Sequence, residues 1–389
     1  MQGRLGITWG LSSLHGWGVF GLNLVKELTK GSANGWPRPL LLNETPLGAI
    51  DPALHAFLQP LINERERTVQ GSAYMAQVGL RDTVVLHSSG NGLVHNEVSA
   101  RFRGERNVGF TFFEQTDIPT AAIDAVTTMD GMLTGSGWCR DILQERGVPN
   151  VQCVHQGIDT ELFSPRPASG RLKDRFVVFA GGKLEFRKGQ DTALAAFRAF
   201  HRRHPDALLL TVWQNPWPES IKSLAESRHV SSLPADGLPD QVLPAWTAAE
   251  GLPAGAHIDA GAIANTALPD LLAEADAALF PNRCEGGTNL ALMECMAMGL
   301  PCVVSMNTGH LDIADADNAY PLTRQTPVTD AANARQGWGE SDVDEAVERL
   351  EEIYADRHES KRRGVNARKR MTGMTWSRQV GKLVSALPD

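Results

Sequence analysis

The sequence predicts an α/β protein made of two Rossmann-like domains, each with a parallel sheet covered by helices. Three observations favour this fold class. The 389 residues exceed what one core usually holds, and short apolar runs alternate with helical patterns along the chain. A stretch rich in proline, serine, glycine and charge interrupts this alternation at residues 164–174 and reads as a linker. Ligands of such folds bind at the carboxyl ends of the strands, so two sheets facing each other would enclose a central cleft.

Buried strands are predicted at ten short apolar runs, and helices at the periodic segments between them. The predicted strands are 5–9, 39–43, 83–87, 108–113, 151–155, 176–180, 207–212, 257–260, 277–281 and 302–305. The predicted helices are 20–29, 52–67, 137–146, 188–203, 269–275, 289–298 and 342–354. Residues 323–341 are polar and read as a loop. The predicted domains are 1–165, 166–372 and a final helical segment, 373–389.

Composition narrows the class of protein. The chain is 42% hydrophobic and 21% charged with a net charge of −8, which argues against a nucleic-acid binder. Five cysteines without metal-type spacing indicate reduced thiols and a cytoplasmic protein. Residues 5–25 carry no Asp, Glu, Lys or Arg, but five glycines argue against a membrane-spanning helix there.

The stretch RCEGGTNLALMECMAMGLPCVVS, residues 283–305, follows a predicted strand and reads as loop, helix and strand. Thr288 is a candidate cap for the helix, and Gly299 followed by Pro301 ends it. The glycine-containing loop would let backbone N–H groups and a helix N-terminus approach a phosphate. Glu294, inside the helix, could accept two hydrogen bonds from a sugar diol. The alternative is that Glu285 and Glu294 are an ordinary surface acid and helix-face acid.

Several stretches, taken in order, resemble the retaining, nucleotide-sugar-dependent glycosyltransferases of family 4, the glycosyl transferases group 1 type, which have the GT-B architecture. That family carries two glutamates separated by seven residues, whereas eight residues separate Glu285 from Glu294 here. We expect the additional residue in the loop 286–289, because a loop absorbs it more readily than a helix. The other matching stretches are VPNVQCVHQGIDTELFSP (148–165), FAGGKLEFRKG (179–189), DLLAEADAALFPNRCEGG (270–287) and TWSRQVGKLV (375–384).

The resemblance implies a donor site in the second domain. Lys183 and Lys188 match the cations that hold the diphosphate, with Arg187 as a rival for the first of these roles. Glu294 would hold the ribose, and Glu285 would contact the sugar. The nucleotide base is expected near 257–264 and 213–217, and no metal is expected. The remaining implied donor contacts are Gly286, Gly287, Thr288, Asn289 and Leu290. The alternative is that the three cations only form a solvated loop.

The resemblance also implies an acceptor side in the first domain. Gly16 and Gly18 belong to a glycine-rich loop that faces the donor phosphates in that family, although glycines are also common in tight turns. Glu114 is the candidate acid/base group, with capping of the following turn as the alternative. His15 and His87 are candidate sugar or acceptor contacts, and Ser136 is predicted to cap a helix.

Together these residues predict a hexosyltransferase that moves a sugar from a UDP- or GDP-sugar to a hydroxyl group with retention. Glu114, Glu285 and Lys188 are the predicted catalytic residues. The expected acceptor is a glycan, a lipid-linked molecule or a protein, in polysaccharide or glycoconjugate biosynthesis. The basic run 361–370 carries six cations and reads as a solvated helix face, with peripheral contact to the inner membrane surface as the alternative. An inverting transferase, a nucleotide-sugar epimerase and a non-catalytic nucleotide-sugar-binding protein remain open.

Overall fold

The computed structural model describes residues 3–14, 16–72, 74–214, 218–231, 239–261 and 263–388. The chain forms two compact units. Unit 1 comprises Met1–Gly157, Asp330–Gln336 and Met374–Asp389, and unit 2 comprises Ile158–Thr329 and Gly337–Gly373. The chain therefore passes from one unit to the other more than once. The domain bounds 1–165, 166–372 and 373–389 stay predictions.

Unit 1 contains a sheet of six parallel strands in the order β2-β1-β3-β4-β5-β6. The sequence predicted five of these six strands. It missed the strand at residues 131–134, GMLT, which is short and begins with glycine. The strands are β1 Arg4–Ile7, β2 Arg38–Leu41, β3 Val78–Ser89, β4 Phe102–Thr111, β5 Gly131–Thr134 and β6 Val151–Cys153.

Helices cover this sheet, as the alternating pattern predicts. Ser136 accepts a hydrogen bond from the backbone N–H of Cys139 at 3.2 Å, which confirms that it caps the helix that follows. The predicted helix 52–67 is divided into a 3₁₀ turn, Pro52–Leu54, and a longer α-helix. The α-helices are α1 Gly16–Gly31, α2 His55–Gln70, α3 Glu97–Arg101, α4 Thr120–Thr127 and α5 Gly137–Glu145.

Unit 2 repeats this architecture with six parallel strands in the order β12-β11-β10-β7-β8-β9. Its core packs aromatic and aliphatic side chains, including the fully buried Phe197, Phe200 and Trp213. Five of the strands were predicted, and the short β12 was missed. The strands are β7 Phe176–Lys183, β8 Ala207–Gln214, β9 His257–Asp259, β10 Ala277–Phe280, β11 Cys302–Ser305 and β12 Tyr320–Leu322.

The predicted loop 323–341 is wrong in one respect, because it contains a small antiparallel hairpin of β13, Gln325–Pro327, and β14, Gly339–Ser341. Its polar composition hid the strands, which are held partly by a hydrogen bond from the Gly339 N–H to the Arg283 carbonyl at 3.0 Å. The helices of unit 2 are α6 Gln190–His201, α7 Pro239–Ala249, α8 Leu268–Leu272, α9 Leu290–Met298, α10 Val343–Ala355 and α11 Arg357–Thr372.

The last helix, α12, spans Trp376–Ser385 and belongs to unit 1. It packs against α1, where the Trp376 and Phe20 ring centroids lie 6.1 Å apart. A Cβ on Gly157 would come within 2.5 Å of the Trp376 backbone, so this close approach requires a glycine. Across the described parts of the chain, no helix is both long enough and apolar enough to cross a membrane.

Candidate donor site

Two loops of unit 2 come together at the carboxyl ends of the neighbouring strands β7 and β10. One loop contains the 3₁₀ turn Phe186–Lys188, and the other joins β10 to α9. Gly189 adopts φ +70°, and a Cβ there would lie 2.2 Å from the Pro281 carbonyl oxygen. Because only glycine permits this approach without a clash, it brings the charged 3₁₀ turn against the second loop.

Glu285 is the centre of the charged residues in these loops, and its side chain is only 6% exposed. Its Oε1 accepts a hydrogen bond from Lys188 Nζ at 2.6 Å and another from the Asn282 amide. Its Oε2 accepts one from Arg187 Nη1 at 3.2 Å. Burial alone would raise the pKa of Glu285, but Lys188 and Arg187 outweigh it and lower this pKa to about 2. Glu285 is therefore a carboxylate at neutral pH.

Glu185 is a second acid in the 179–189 loop, and two cations of the same loop contact it. Arg187 Nη2 bonds Glu185 Oε1 at 2.6 Å, and Lys183 Nζ lies 3.4 Å from the same oxygen. Burial raises the pKa of Glu185, but the nearby Arg187 and Lys183 outweigh burial and bring this pKa below its ordinary value, so this acid is also ionised. Three cations thus face two carboxylates, which leaves an excess of one positive charge. A site of this charge favours an anionic ligand.

Glu294 lies in the second turn of α9 and has a different environment. It is buried, and its Oε1 accepts a hydrogen bond from the Asn265 amide at 2.9 Å. Burial raises the pKa of Glu294 to about 8, and the hydrogen bond from Asn265 offsets only part of that rise. The carboxyl group is therefore mostly protonated at neutral pH and has a second oxygen that could receive a ligand hydroxyl.

The start of α9 differs from the prediction that Thr288 caps it. Asn289 is the N-cap residue and adopts φ +62°, while the Thr288 hydroxyl bonds Met293 Sδ at 3.0 Å. The Asn289 amide donates to His310 Nε2 at 3.1 Å, and His310 Nδ1 lies 3.1 Å from the Ser305 carbonyl oxygen, which fixes the Nδ1–H tautomer. Burial lowers the pKa of His310 to about 4, so the ring is neutral.

Asn289, with its positive φ, belongs to the segment 286–289, where we expected the additional residue between Glu285 and Glu294. Thr308 is a second non-glycine residue with positive φ, at +41°, and its hydroxyl oxygen accepts a hydrogen bond from the Glu285 N–H at 2.8 Å. A Cβ on Gly309 would lie 1.9 Å from the Gly287 carbonyl oxygen. The segment that contains Thr308 and Gly309 therefore packs closely against this loop. Gly286 and Gly287 lie within the loop, and Leu290 begins α9.

Arg283 is a structural residue that the sequence reasoning missed. It is fully buried and forms a bidentate ion pair with Asp191 at 2.8 and 2.7 Å. It also bonds Glu340 at 3.0 Å and lies 3.8 Å from the centre of the Phe186 ring. Its contacts tie α6, the hairpin and the 3₁₀ turn to the residue two positions before Glu285. Its position two residues before Glu285 was the sequence feature that could have indicated a role for Arg283.

In the predicted base-binding region, residues 213–214 end β8 and residues 257–259 form β9. Asp259 accepts hydrogen bonds from the Thr211 hydroxyl at 2.5 Å and the Trp213 N–H at 3.1 Å. Burial lowers the pKa of His257, whose Nε2 lies 2.9 Å from the Thr211 hydroxyl. Trp217 lies outside the described residues.

The predicted acceptor-side residues belong to unit 1. Gly16 opens α1, and a Cβ on Gly18 would lie 2.4 Å from Ser12, so this glycine permits tight packing of the loop. Glu114 lies three residues after β4, because the strand ends at Thr111 and not at residue 113 as predicted. Its N–H donates to the Asn91 side chain at 2.7 Å.

Of the two histidines predicted to contact a sugar or the acceptor, the structure describes His87. His87 lies inside β3, not at its end, because the strand continues to Ser89. It is fully buried with Nε2 2.9 Å from Asn107 Oδ1, and burial lowers its pKa to about 4. This hydrogen bond is the ordinary structural arrangement of a core histidine. His15 lies outside the described residues.

Comparison with known proteins agrees with the features of unit 2. Residues 174–336 match the family described as "Glycosyl transferases group 1". A GDP-mannose-dependent alpha-(1-6)-phosphatidylinositol monomannoside mannosyltransferase of Mycobacterium tuberculosis is 26% identical over 253 residues, 61% of this chain and 56% of that protein. The corresponding dimannoside mannosyltransferase of that species is 25% identical over 304 residues, 76% of this chain and 66% of that protein. The chain therefore spans little more than half the length of the first of these relatives.

Solved structures show the same fold over the whole chain. The sucrose-phosphate synthase of Thermosynechococcus elongatus superposes with a TM-score of 0.65 at 16% identity, covering 99% of this chain and 98% of that one. Anabaena HepE, in a complex with UDP and glucose, superposes with a TM-score of 0.64 at 13% identity over 100% of both chains. The chain therefore has the GT-B fold with two Rossmann-like units, and its residues 174–336 are similar to the group 1 glycosyltransferases.

Proposed function

We propose that this chain transfers a hexosyl group from a nucleoside-diphosphate sugar to a hydroxyl group of an acceptor, with retention of the anomeric configuration. The observation that carries the proposal is the cluster of Lys183, Arg187 and Lys188 around Glu185 and Glu285. It has one positive charge in excess, and the loop beside it ends at the N-terminus of α9. Both features favour a phosphate-bearing ligand.

The proposed chemistry requires stabilisation of a leaving diphosphate. The bond between the sugar C1 and the diphosphate oxygen breaks, and a bond between C1 and the acceptor oxygen forms. Lys183 and Lys188 would neutralise the charge that develops on the diphosphate. The acceptor hydroxyl loses its proton in the same overall step, and we propose Glu114 as the acid/base group that handles it. Retention rests on the family resemblance.

Donor recognition is assigned to the two glutamates and the loop between them. We propose that Glu294 binds the ribose hydroxyls through its second oxygen, and that Glu285 contacts the transferred sugar. Backbone groups of the loop would contact the phosphates and the sugar, at Gly286, Gly287, Thr288, Asn289 and Leu290. In unit 1, Gly16 and Gly18 stay the predicted contacts on the donor phosphates, and His15 stays a predicted contact on the acceptor side. The buried hydrogen bond of His87 to Asn107 instead favours a structural role for that histidine. Because the lysines supply the neutralising charge, we propose transfer without a metal ion.

The relatives' names favour particular substrates. Both mycobacterial proteins are described as GDP-mannose-dependent and as acting on phosphatidylinositol mannosides. We therefore propose GDP-mannose as the first donor to test, with UDP-sugars next, and a glycan or lipid-linked molecule ahead of a protein as acceptor. A cytoplasmic enzyme at the inner membrane surface fits a lipid-linked acceptor.

The basic run 361–370, within α11, supports membrane contact less than its charge suggests. Arg363, Arg368 and Arg370 donate to backbone carbonyls of Ala319, Ala297 and Asp312 at 2.7 to 2.9 Å. These arginines therefore stabilise unit 2. Lys361 and Lys369 are exposed on this helix and are the cations we propose for any contact with anionic lipid.

Binding and transfer should be tested together on the full chain. We expect calorimetry to detect binding of GDP-mannose or of one UDP-sugar among glucose, galactose and N-acetylglucosamine forms, and a product assay with a lipid-linked mannoside or an oligosaccharide to detect transfer. The anomeric configuration of the product, read by NMR, separates retention from inversion. Binding without transfer or hydrolysis would favour a non-catalytic nucleotide-sugar-binding protein, and absence of binding to every donor would refute the proposal.

A further inference from the structure

Lys188 and Glu285 are hydrogen-bonded to each other, although the proposed function gives each of them a separate part of the donor. The Nζ–Oε1 distance is 2.6 Å, and the two side chains are 12% and 6% exposed. Among the described residues, Glu285 is the hydrogen-bond partner of the Lys188 ammonium. The ammonium cannot give its full charge to a diphosphate while a carboxylate oxygen lies 2.6 Å away.

Glu285 would remain held if Lys188 left it. Arg187 bonds the other carboxylate oxygen at 3.2 Å, and the Asn282 amide bonds the same oxygen as Lys188 does. Arg187 is itself fixed by Glu185 at 2.6 Å and by the Cys284 carbonyl at 2.9 Å. If Lys188 leaves, Oε1 of Glu285 can therefore accept one further hydrogen bond, while Arg187 and Asn282 keep the side chain in place.

We propose that the donor diphosphate competes with Glu285 for Lys188, and that this exchange of partners makes Oε1 of Glu285 available to the transferred sugar. The inference rests on the proposed function. Binding of the diphosphate supplies the negative charge that Lys188 loses on leaving the carboxylate, so the exchange keeps the lysine neutralised. Arg187 and Asn282 are then positioning residues for Glu285, and the diphosphate prepares the sugar contact before the sugar is bound fully.

The test measures GDP and UDP affinity by calorimetry on the full chain. Glu285→Asp keeps the charge but shortens the side chain by one methylene, which withdraws it from Lys188. We expect Glu285→Asp and Glu285→Gln to bind the nucleoside diphosphate about three- to tenfold more tightly, since a competing charge-assisted bond is removed. Both should transfer sugar more slowly, because the sugar contact is lost.

Glu185→Gln is the matched control, because it removes one negative charge from the same cluster without touching the ammonium of Lys188. We expect it to gain less than either Glu285 variant. Equal gains for Glu185→Gln and Glu285→Gln, or unchanged affinity for Glu285→Asp, would overturn the exchange and leave Glu285 as a sugar contact alone. If Glu285→Gln fails to fold, Glu285→Asp carries the test. Failure of the natural protein to bind any nucleoside diphosphate would instead refute the proposed function together with the exchange.

Discussion

Glu285 and Glu294 stand at the two ends of one loop–helix segment, and both are buried, yet their protonation differs at neutral pH. Lys188 and Arg187 lie against Glu285, so its pKa falls to about 2. Glu294 accepts a hydrogen bond from the neutral amide of Asn265, which offsets only part of the effect of burial, so its pKa rises to about 8. The difference shows that burial decides the charge of an acid only where no cation accompanies it.

The two environments suit different ligand groups. The charged end offers cations to phosphate oxygens, while the helix end offers an uncharged carboxyl group to hydroxyls. A nucleoside-diphosphate sugar contains both kinds of group, separated along one molecule. This difference accounts for two acids in the same segment. Matched substitutions of Glu285 and Glu294 test whether their charges differ.

The largest expected effect is on stability. Glu285→Gln leaves the buried Lys188 without its carboxylate partner and leaves Arg187 paired with Glu185 alone, so we expect the free energy of unfolding at pH 7 to fall by about 3 kcal/mol. Glu294→Gln replaces a protonated carboxyl group by a neutral amide of the same shape, and we expect a change below about 1 kcal/mol. Urea unfolding of both variants measures this, and equal losses would contradict the difference in charge.

A somewhat smaller effect is expected on ligand affinity at the charged end. Lys188→Ala should weaken binding of GDP or UDP by tens of fold, because a charge-assisted contact contributes about 1.5–3 kcal/mol. Lys222→Ala is the control, since Lys222 is an exposed lysine of unit 2 paired with Glu219. Calorimetry at one fixed ionic strength measures both variants. Unchanged affinity in Lys188→Ala would remove this residue from the phosphate site.

Much of the fold follows from sequence patterns that act locally. The apolar runs locate ten of the twelve strands of the two sheets, and the glycine and proline at 299 and 301 mark the end of α9. β5 and β12 were missed, although strands of the same length were predicted elsewhere, because β5 begins with glycine and β12 has a proline at its centre. The hairpin at 325–341 was missed because its strands are polar and depend on the tertiary contact with Arg283.

The candidate site was less accessible to sequence reasoning. The residue types and their order indicate which side chains meet, and the structure does bring Lys183, Lys188 and Glu285 into one cluster. The pairing of Lys188 with Glu285 depends on how two loops approach across Gly189, which no local pattern reveals. His310 follows β11 in the short stretch NTGH, and its contact with Asn289 arises only from the three-dimensional arrangement.

The smallest effect concerns the pH dependence of stability at the helix end. The folded-state pKa of Glu294, about 8, lies above the ordinary value of 4.5, so the folded chain keeps a proton that the unfolded chain releases. This contribution to stability is complete below pH 4.5 and is lost as the pH rises through about 8. Glu285 has the opposite sign, since its contribution is present above pH 4.5 and is lost as the pH falls through about 2.

Asn265→Ala removes the hydrogen bond that partly lowers the pKa of Glu294, at 2.9 Å in the natural protein. A hydrogen bond of this kind contributes about 1 kcal/mol, so the pH at which the Glu294 contribution is lost should rise by up to about one pH unit. The measurement compares the free energy of unfolding from pH 5 to pH 10 in the natural protein and in Asn265→Ala. The same comparison in a Glu294→Gln background removes the titrating group, and there we expect Asn265→Ala to leave the pH profile unchanged. A shift that persists without Glu294, or a midpoint that moves downward, would show that Asn265 does not control the protonation of this carboxyl group.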